Sequence, residues 1–188
     1  MSQQDLLRTV VRTLERLKID YMITGAIASS VQGEPRSTHD IDIVVDLPKT
    51  KVHALVAAFP PQAYHIDQEA VAEAVTAGGR ADLVNTESGD KVVFWMLTDD
   101  PFDCSRFARR YRERALQTQI EVSSPEDTIL MKLRWARMAG GSEKHFIDAL
   151  RVYEVQYRKL DREYLRTWTL QLGIEAEMER LRAQAVTG

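Results

Sequence analysis

The stretch that decides the fold of this chain is Thr24-Gly25-Ala26, followed shortly by Gly33-Glu34-Pro35-Arg36-Ser37-Thr38-His39-Asp40-Ile41-Asp42-Ile43-Val44-Val45. Its last part alternates polar and apolar residues, which is typical of a half-buried β-strand. Because residues i and i+2 of a strand point to the same face, we expect Asp40 and Asp42 to project together. Ile41 and Ile43 would then face a core on the opposite side.

The paired carboxylates of Asp40 and Asp42 point to a metal site. Two like charges this close repel, and the simplest way to keep both ionised is to hold a divalent cation between them. A helix that starts at Gly25 would offer free N–H groups to a phosphate, and Arg36 would offer a guanidinium. An ordinary edge strand with two solvated aspartates also fits Asp-x-Asp alone, but the surrounding residues favour metal-assisted phosphoryl or nucleotidyl chemistry.

A strand, a glycine-led helix and a strand with Asp-x-Asp, in this order, resemble the signature of the polymerase-beta-like nucleotidyltransferase superfamily. The match is specific over residues 20–46 and continues more weakly to about residue 150. The chain is most similar to small bacterial nucleotidyltransferases related to abortive-infection toxins of toxin–antitoxin systems. The resemblance implies Mg²⁺ as the cofactor, a nucleoside triphosphate (NTP) as the substrate, and Asp40 and Asp42 as both metal ligands and catalytic residues.

The nucleotide-binding residues predicted from this stretch are Gly25, Ala26, Arg36 and Thr38. Glycine lets the backbone come close to a phosphate at the start of a helix. Gly25 also fits a simple strand-to-helix turn, and Arg36 could instead pair with Asp40 or Asp46 on the surface. For Thr38, support of the strand or of a water molecule is the role that we consider.

Two positions depart from the pattern of the relatives that the chain resembles. Those relatives have a second glycine or a serine where this chain has Ala26, which lacks a hydroxyl donor. They also place a third carboxylate in a pattern like Lys-Val-Asp-Phe, whereas this chain reads Lys91-Val92-Val93-Phe94. Valine can neither bind Mg²⁺ nor accept a proton. The sequence leaves two substitutes open: Asp90, which needs a bulge to reach the correct face, and Asp82 on the preceding strand.

A further candidate, Lys132, lies in a helix that begins at Ser124-Pro125-Glu126-Asp127 with a capping serine and first-turn proline and acids. Burying its ammonium among apolar neighbours is expensive unless an anion meets it. Lys132 is therefore a candidate triphosphate contact, with snorkelling to solvent as the alternative. Lys144 and Asp148 resemble part of the base-binding element of the toxin-like subgroup, and they also fit a surface ion pair of small worth.

The wider pattern predicts an α/β (α+β) protein, with a small mixed nucleotidyltransferase sheet flanked by helices and a C-terminal helical bundle. We predict a nucleotidyltransferase-like core over residues 1–123 and a helical subdomain over 124–188. Residues 99–103 are predicted as a loop. Arg106, Arg110 and Arg114 would share one face if helical, which could bind RNA. Aspartates nearby in the sequence favour an internally paired, solvated surface instead.

Composition narrows the class of protein. The 188 residues are 44% apolar and 28% charged with a net charge of −3, which fits a soluble globular protein and argues against a coat for nucleic acid. We expect no membrane span or secretion, because no apolar run reaches about 18 residues and no positive-ended leader is present. The single cysteine, Cys104, cannot form an internal disulfide and suits a cytoplasmic protein.

From these observations we expect a cytoplasmic, Mg²⁺-dependent nucleotidyltransferase that moves a nucleoside monophosphate from an NTP to a hydroxyl of a protein, RNA or small molecule. The resemblance further implies a toxin with an antitoxin partner. One alternative is a catalytically impaired nucleotide- or partner-binding protein of the same fold, because Val93 replaces the third carboxylate. Another is an RNA-binding module. Exposed aromatic faces on the C-terminal helices would permit a homodimer. The acceptor and the preferred base stay open.

Overall fold

The computed structural model describes residues 2–115 and 117–187. In chain order its elements are α1 (Gln3–Arg16), β1 (Asp20–Ile23), α2 (Gly25–Gln32), β2 (Asp40–Asp46), a 3₁₀ helix (Lys49–Lys51), α3 (Val52–Ala57), β3 (Tyr64–Ile66), α4 (Gln68–Ala77), β4 (Arg80–Asn85), β5 (Lys91–Met96), α5 (Pro101–Ala108), β6 (Tyr111–Ala115), β7 (Thr118–Val122), α6 (Pro125–Met138), α7 (Glu143–Gln156), α8 (Arg162–Leu172) and α9 (Glu175–Gln184).

The chain divides into two compact units. Residues 1–24 and 38–122 form the first, which we call the sheet unit, and residues 25–37 and 123–188 form the second, the helical unit. Helix α2 and the turn after it therefore group with the C-terminal helices. The division into domains 1–123 and 124–188, which the sequence suggests, stays a prediction.

The sheet unit is built on a mixed sheet with strand order β3-β4-β5-β2-β1-β7-β6. Strand β2 runs parallel to β5 and antiparallel to β1. The predicted alternation in β2 is confirmed, because Ile41 and Ile43 are fully buried while Asp40 is exposed and Asp42 is half-buried. Helix α1 adds a stripe of buried residues at helical spacing to the core of this unit: Leu6, Leu7, Val10, Val11 and Leu14.

The helical unit combines α2 with α6, α7, α8 and α9. The predicted start of α6 is confirmed, since the Ser124 hydroxyl accepts a hydrogen bond from the Asp127 amide at 3.1 Å. Helix α2 ends against α7 at Gly33, where an added Cβ would lie 2.9 Å from the Val152 backbone nitrogen. A glycine is therefore required at this close approach. Together with the mixed sheet, these helices confirm the predicted fold class.

One local prediction is wrong. Residues 99–103 are not all loop, because Asp100 caps α5 and Pro101 is its first residue. The alternative of a shared helical face for the arginines does not hold, because Arg106 lies in α5, Arg110 follows that helix, and Arg114 lies on β6. Arg106 and Arg110 agree with the favoured interpretation of an internally paired surface: Arg106 contacts Asp103 at 2.8 Å, and Arg110 lies over the Phe107 ring.

None of the helices in residues 2–115 and 117–187 combines the length and the apolar character that crossing a membrane requires.

Candidate functional site

Asp40 and Asp42 lie on one face of the sheet, as the alternation predicted. The parallel register pairs Asp40 with Lys91 and Asp42 with Val93 on β5, and the antiparallel register then pairs Val93 with Asp82 on β4. Residues paired across strands share a face. We call this surface of β2, β5 and β4, which carries Asp40, Asp42, Val93 and Asp82, the acid face.

The carboxylate of Asp42 is held by a tryptophan. The indole Nε1 of Trp95 donates a hydrogen bond to Asp42 Oδ1 at 3.1 Å. Trp95 is in turn stacked beneath the Arg80 guanidinium, whose central carbon lies 5.4 Å from the ring centroid. Sequence reasoning did not find this contact, because the two residues are 53 positions apart. The bond restricts the orientation of the carboxylate through one of its two oxygens.

The Asp40 carboxylate is more open, with 52% of its side chain exposed. Lys91 Nζ lies 3.6 Å from Asp40 Oδ1 and 3.7 Å from Asp82 Oδ2. Such exposed pairs contribute little stability. The Thr38 hydroxyl donates to the backbone oxygen of Asp40 at 3.1 Å, so Thr38 fixes the backbone at the start of β2. Lys91 is therefore a weakly bound cation near Asp40 that a divalent cation could displace.

The donor set suits Mg²⁺. Magnesium is a hard cation that proteins bind through one or two carboxylates, with waters and substrate phosphates completing the octahedron. Asp40 and Asp42 offer two such carboxylates on one face, and their Cα atoms are about 7 Å apart along the strand. Among residues 2–115 and 117–187, no cluster of three or more His, Cys, Asp and Glu side chains could hold a metal by itself.

Val93 stands where the resemblance places a third carboxylate. Val93 is buried, with 3% of the residue exposed. It pairs with Asp42 on β2 and with Asp82 on β4, so it lies between them on the sheet. The pairing of β5 with both neighbours continues without a bulge from Lys91 to Trp95, so nothing turns Asp90 towards the acid face. Of the two substitutes that the sequence left open, Asp82 shares this face.

The predicted phosphate-binding turn follows β1. The amide of Thr24, the last residue of its segment in the sheet unit, donates to the backbone oxygen of Asp42 at 3.0 Å. The next residue, Gly25, begins α2 with φ of +67°, in the left-handed region that favours glycine. Ala26 follows within the first turn and is buried. The turn thus has the backbone that the sequence predicted, without a hydroxyl at position 26.

In the helical unit, Arg36 and Lys132 meet on one carboxylate. Arg36 Nε and Nη2 donate to the two oxygens of Asp148, each at 2.7 Å, and Lys132 Nζ donates to Asp148 Oδ2 at 2.6 Å. The side chains of Lys132 and Asp148 are only 2% and 7% exposed. We call these three residues the ion triad. The anion that the sequence required beside Lys132 is therefore Asp148.

The ion triad rules out three alternatives that the sequence left open. Arg36 binds Asp148 rather than Asp40 or Asp46, Lys132 is buried rather than snorkelling, and Asp148 is no surface partner of Lys144. Burial by itself raises the pKa of Asp148, but the hydrogen bonds from Arg36 and Lys132, with their charges, outweigh it and hold that pKa below its ordinary value. Burial, reinforced by the charge of Lys132, lowers the pKa of the neighbouring His145.

Comparisons with known proteins rest on structure alone, because neither a protein-family profile nor a curated protein sequence matches this chain. A nucleotidyltransferase-like protein from Paracoccidioides brasiliensis is 14% identical with a TM-score of 0.61, over 98% of this chain and 94% of its own. The chain has a nucleotidyltransferase-like fold.

Two antibiotic-modifying enzymes share this nucleotidyltransferase-like fold. ANT(2")-Ia, solved in complex with adenylyl-2"-tobramycin, is 12% identical with a TM-score of 0.60, over 92% of this chain and 98% of its own. The lincosamide antibiotic adenylyltransferase LnuA, solved with lincomycin bound, is 15% identical with a TM-score of 0.56, over 82% and 98%. At these identities the likeness establishes the fold, and the chemistry must be argued from the acid face.

Proposed function

We propose that this protein is a Mg²⁺-dependent nucleotidyltransferase that moves a nucleoside monophosphate from an NTP to a hydroxyl group. The observation that carries the proposal is the pair of carboxylates, Asp40 and Asp42, on one face of β2 in a nucleotidyltransferase-like fold. Asp40 lies near the partly exposed Lys91, and Asp42 accepts a hydrogen bond from the neutral Trp95 indole. Such a pair is suited to a divalent cation carried by a triphosphate.

Transfer of a nucleotidyl group demands positioning and charge neutralisation more than covalent help from side chains. When bound, Mg²⁺ supplies stabilisation of the charge that develops on the phosphate oxygens. In our proposal, Asp40 and Asp42 bind the metal, Trp95 orients Asp42, and Thr38 keeps the backbone of Asp40 in place. The free N–H groups at Gly25 and Ala26 bind phosphate at the start of α2.

We also propose Arg36 and Lys132 as nucleotide contacts of the helical unit. Two cations on one carboxylate leave a net positive charge in the ion triad, which favours an anionic ligand. Arg36 is the more accessible of the two, with a quarter of its side chain exposed. A direct contact from Lys132 requires its ammonium to exchange Asp148 for a phosphate oxygen.

The decisive test has two stages. Calorimetry with ATP, GTP, CTP and UTP, with and without Mg²⁺, should show metal-dependent binding of at least one nucleotide. Incubation with α-labelled NTPs and the protein, RNA and small-molecule fractions of a lysate should then show transfer. Asp42→Asn should abolish transfer, while Asp46→Asn, an exposed aspartate on the same strand, should leave it intact. Transfer that survives Asp42→Asn contradicts the proposal.

A second candidate function rests on Val93. A protein that kept the nucleotide site but lost turnover would bind Mg²⁺–NTP and transfer nothing. Val93→Asp restores the carboxylate that the resemblance places there. A large gain in transfer, from a wild-type level near zero, would favour this impaired protein over the enzyme.

The biological role is proposed more coarsely. Hydroxyls of a protein, RNA or small molecule are all candidate acceptors. LnuA with lincomycin and ANT(2")-Ia with adenylyl-2"-tobramycin make small-molecule antibiotics the first group to test. A cytoplasmic toxin paired with an antitoxin is the role that the sequence resemblance suggests. Growth arrest on expression of the wild type but not of Asp42→Asn, relieved by a neighbouring gene product, would support it. A homodimer would be detected by analytical ultracentrifugation.

A further inference from the structure

The acid face carries one carboxylate that the proposed metal pair does not use. Asp82 lies on β4, directly across from Val93, which is itself across from Asp42. The three positions therefore form one row across the sheet, with a carboxylate at each end and valine in the middle. Asp82 is thus one strand further from Asp42 than a carboxylate at position 93 would be, or about 5 Å.

Lys91 connects Asp82 to the proposed metal pair. Its ammonium lies 3.6 Å from Asp40 Oδ1 and 3.7 Å from Asp82 Oδ2, so these two oxygens are within about 7.3 Å of each other, the sum of the two distances. Asp82 is not part of any three-residue cluster that could hold a metal within residues 2–115 and 117–187. Its position thus suits a neighbour of the metal pair rather than a third ligand.

Asp82 also borders a hollow on the side of β4 that faces β3, away from Asp40 and Asp42. The hollow has a volume of about 410 Å³ and belongs to the sheet unit; its lining includes His65, Ala70, Arg80, Asp82 and Val84. The Asp82 side chain is 41% exposed, so a ligand in the hollow can reach its carboxylate. The polar groups on its lining, which are an imidazole, a guanidinium and the carboxylates of Asp67 and Asp82, offer hydrogen-bond partners to a hydroxylated acceptor.

We propose that Asp82 is the catalytic base of the reaction, in place of a carboxylate at position 93, and that the acceptor hydroxyl reaches it from this hollow. The inference rests on the proposed nucleotidyl transfer. The acceptor oxygen forms a bond to the α-phosphorus of the NTP while its proton passes to the Asp82 carboxylate. The bond from the α-phosphorus to the bridging oxygen breaks, and pyrophosphate leaves with that electron pair.

The test uses the full chain and separates proton transfer from nucleotide binding. Asp82→Asn should lower kcat by at least a hundredfold, the scale of general base catalysis, and leave the Kd for Mg²⁺–NTP unchanged. Asp82→Glu keeps a carboxylate and should retain the rate within about tenfold. Asp90→Asn is the matched control, because that aspartate adjoins the same strands outside the acid face, and it should behave like the wild type.

A rescue experiment distinguishes a base from a merely structural residue. Val93→Asp introduced into Asp82→Asn should recover at least tenfold of the lost rate, with folding checked by Tm. Recovery would support the inference, since a carboxylate at either position then serves. Three outcomes would overturn the inference. The rate of Asp82→Asn could lie within threefold of the wild-type rate, or Asp82→Asn could lose nucleotide binding in parallel with its rate. In the third outcome, a folded double variant recovers no activity.

Failure of this inference is distinguishable from failure of the proposed function. If Asp42→Asn abolishes transfer and Asp82→Asn does not, nucleotidyl transfer stands and Asp82 is not its base. If the wild type binds no Mg²⁺–NTP, or binds it and transfers nothing, catalysis at the acid face is refuted and the role of Asp82 is refuted with it.

Discussion

The acid face and the ion triad solve the same electrostatic problem in opposite ways. Each brings two like charges together: Asp40 and Asp42 in the sheet unit, Arg36 and Lys132 in the helical unit. In the ion triad the compensating charge is Asp148, buried and bonded to both cations at 2.6–2.7 Å. On the acid face the compensation is a partly exposed Lys91 at 3.6 Å from Asp40.

The difference indicates what each cluster contributes. Breaking a buried ion pair by removing one partner costs about 3–5 kcal/mol, because the remaining charge has no solvent. Exposed pairs contribute about 0–1 kcal/mol. The fold therefore depends on each partner of the ion triad, whereas the charge of the acid face is, in our proposal, neutralised by a ligand. The same chemical change, aspartate to asparagine, should produce opposite results in the two places.

The largest expected effect is on activity at the acid face. Asp42→Asn should reduce nucleotidyl transfer at least a thousandfold, because loss of one member of a catalytic unit costs orders of magnitude in rate. The free energy of unfolding should change by less than about 1 kcal/mol, since a partly exposed side chain is replaced by one of equal size. Urea denaturation and a label-transfer assay on the same sample measure both. A large loss of stability would erase the contrast with the ion triad.

The ion triad should respond in the reverse manner. Asp148→Asn leaves Lys132 buried without its counter-charge, and we expect the free energy of unfolding to fall by about 3 kcal/mol. Glu179→Gln, an exposed change on α9, is the matched control and should have almost no effect. Chemical denaturation of the three proteins checks this. Equal stability of Asp148→Asn and the wild type would contradict a structural role for the triad.

The pH dependence of stability should identify the same carboxylate. The pKa of Asp148 in the folded protein lies below its ordinary value of 3.8, so the ionised group favours folding at higher pH. This contribution is complete above the ordinary value and is lost as pH falls through the lowered one. The stability gap between the wild type and Asp148→Asn should therefore be constant above about pH 5 and shrink below about pH 4. A stability difference between the two proteins that widens as pH falls would contradict this prediction.

A smaller effect is expected where α2 meets α7. Gly33→Ala places a methyl group 2.9 Å from the Val152 nitrogen, a backbone atom that cannot swing aside. We expect a loss of about 1–3 kcal/mol, the usual cost of overpacking. Gly79→Ala is the control, because its new methyl group would meet Ala74 at an ordinary 3.7 Å. Thermal melts of both variants test whether the helical unit depends on this approach.

The smallest predicted effect concerns Lys91. Replacing it with glutamine removes an ammonium that competes for Asp40, so the affinity for Mn²⁺, used as a spectroscopic substitute for Mg²⁺, should rise about threefold. Two unit charges about 4 Å apart interact by roughly 1 kcal/mol in water, which sets the scale of the effect for these partly exposed side chains. Titration followed by electron paramagnetic resonance measures the change. A fall in affinity would mean that Lys91 organises the acid face instead of competing with metal.

The local parts of this structure could be predicted from the sequence. Strand β2, the glycine turn at Gly25 and the capped start of α6 each depend on neighbours within a few residues, so periodicity and capping rules apply. The site also follows in part, because alternation alone places Asp40 and Asp42 on one face. Strand β3 was missed, since three residues are too few to show a period.

The remaining features depend on contacts distant in sequence. Asp148 is 112 residues from Arg36, and nothing local in either segment identifies the other. The same holds for Trp95 on Asp42, and for the register that brings Asp82 into line with Val93. The prediction of a loop at 99–103 was wrong for a local reason. Asp100-Pro101 fits a turn but also fits the start of a helix, and here Asp100 caps α5 with Pro101 as its first residue.

We propose that Asp40 and Asp42 together bind a divalent cation with a nucleotide. The test is a calorimetric titration of Mg²⁺–NTP into the wild type, Asp46→Asn and the double variant Asp40→Asn/Asp42→Asn. We expect metal-dependent binding of at least one of the four nucleotides by the first two proteins and none by the folded double variant. Equal binding by all three, or binding that is unchanged without Mg²⁺, would contradict it.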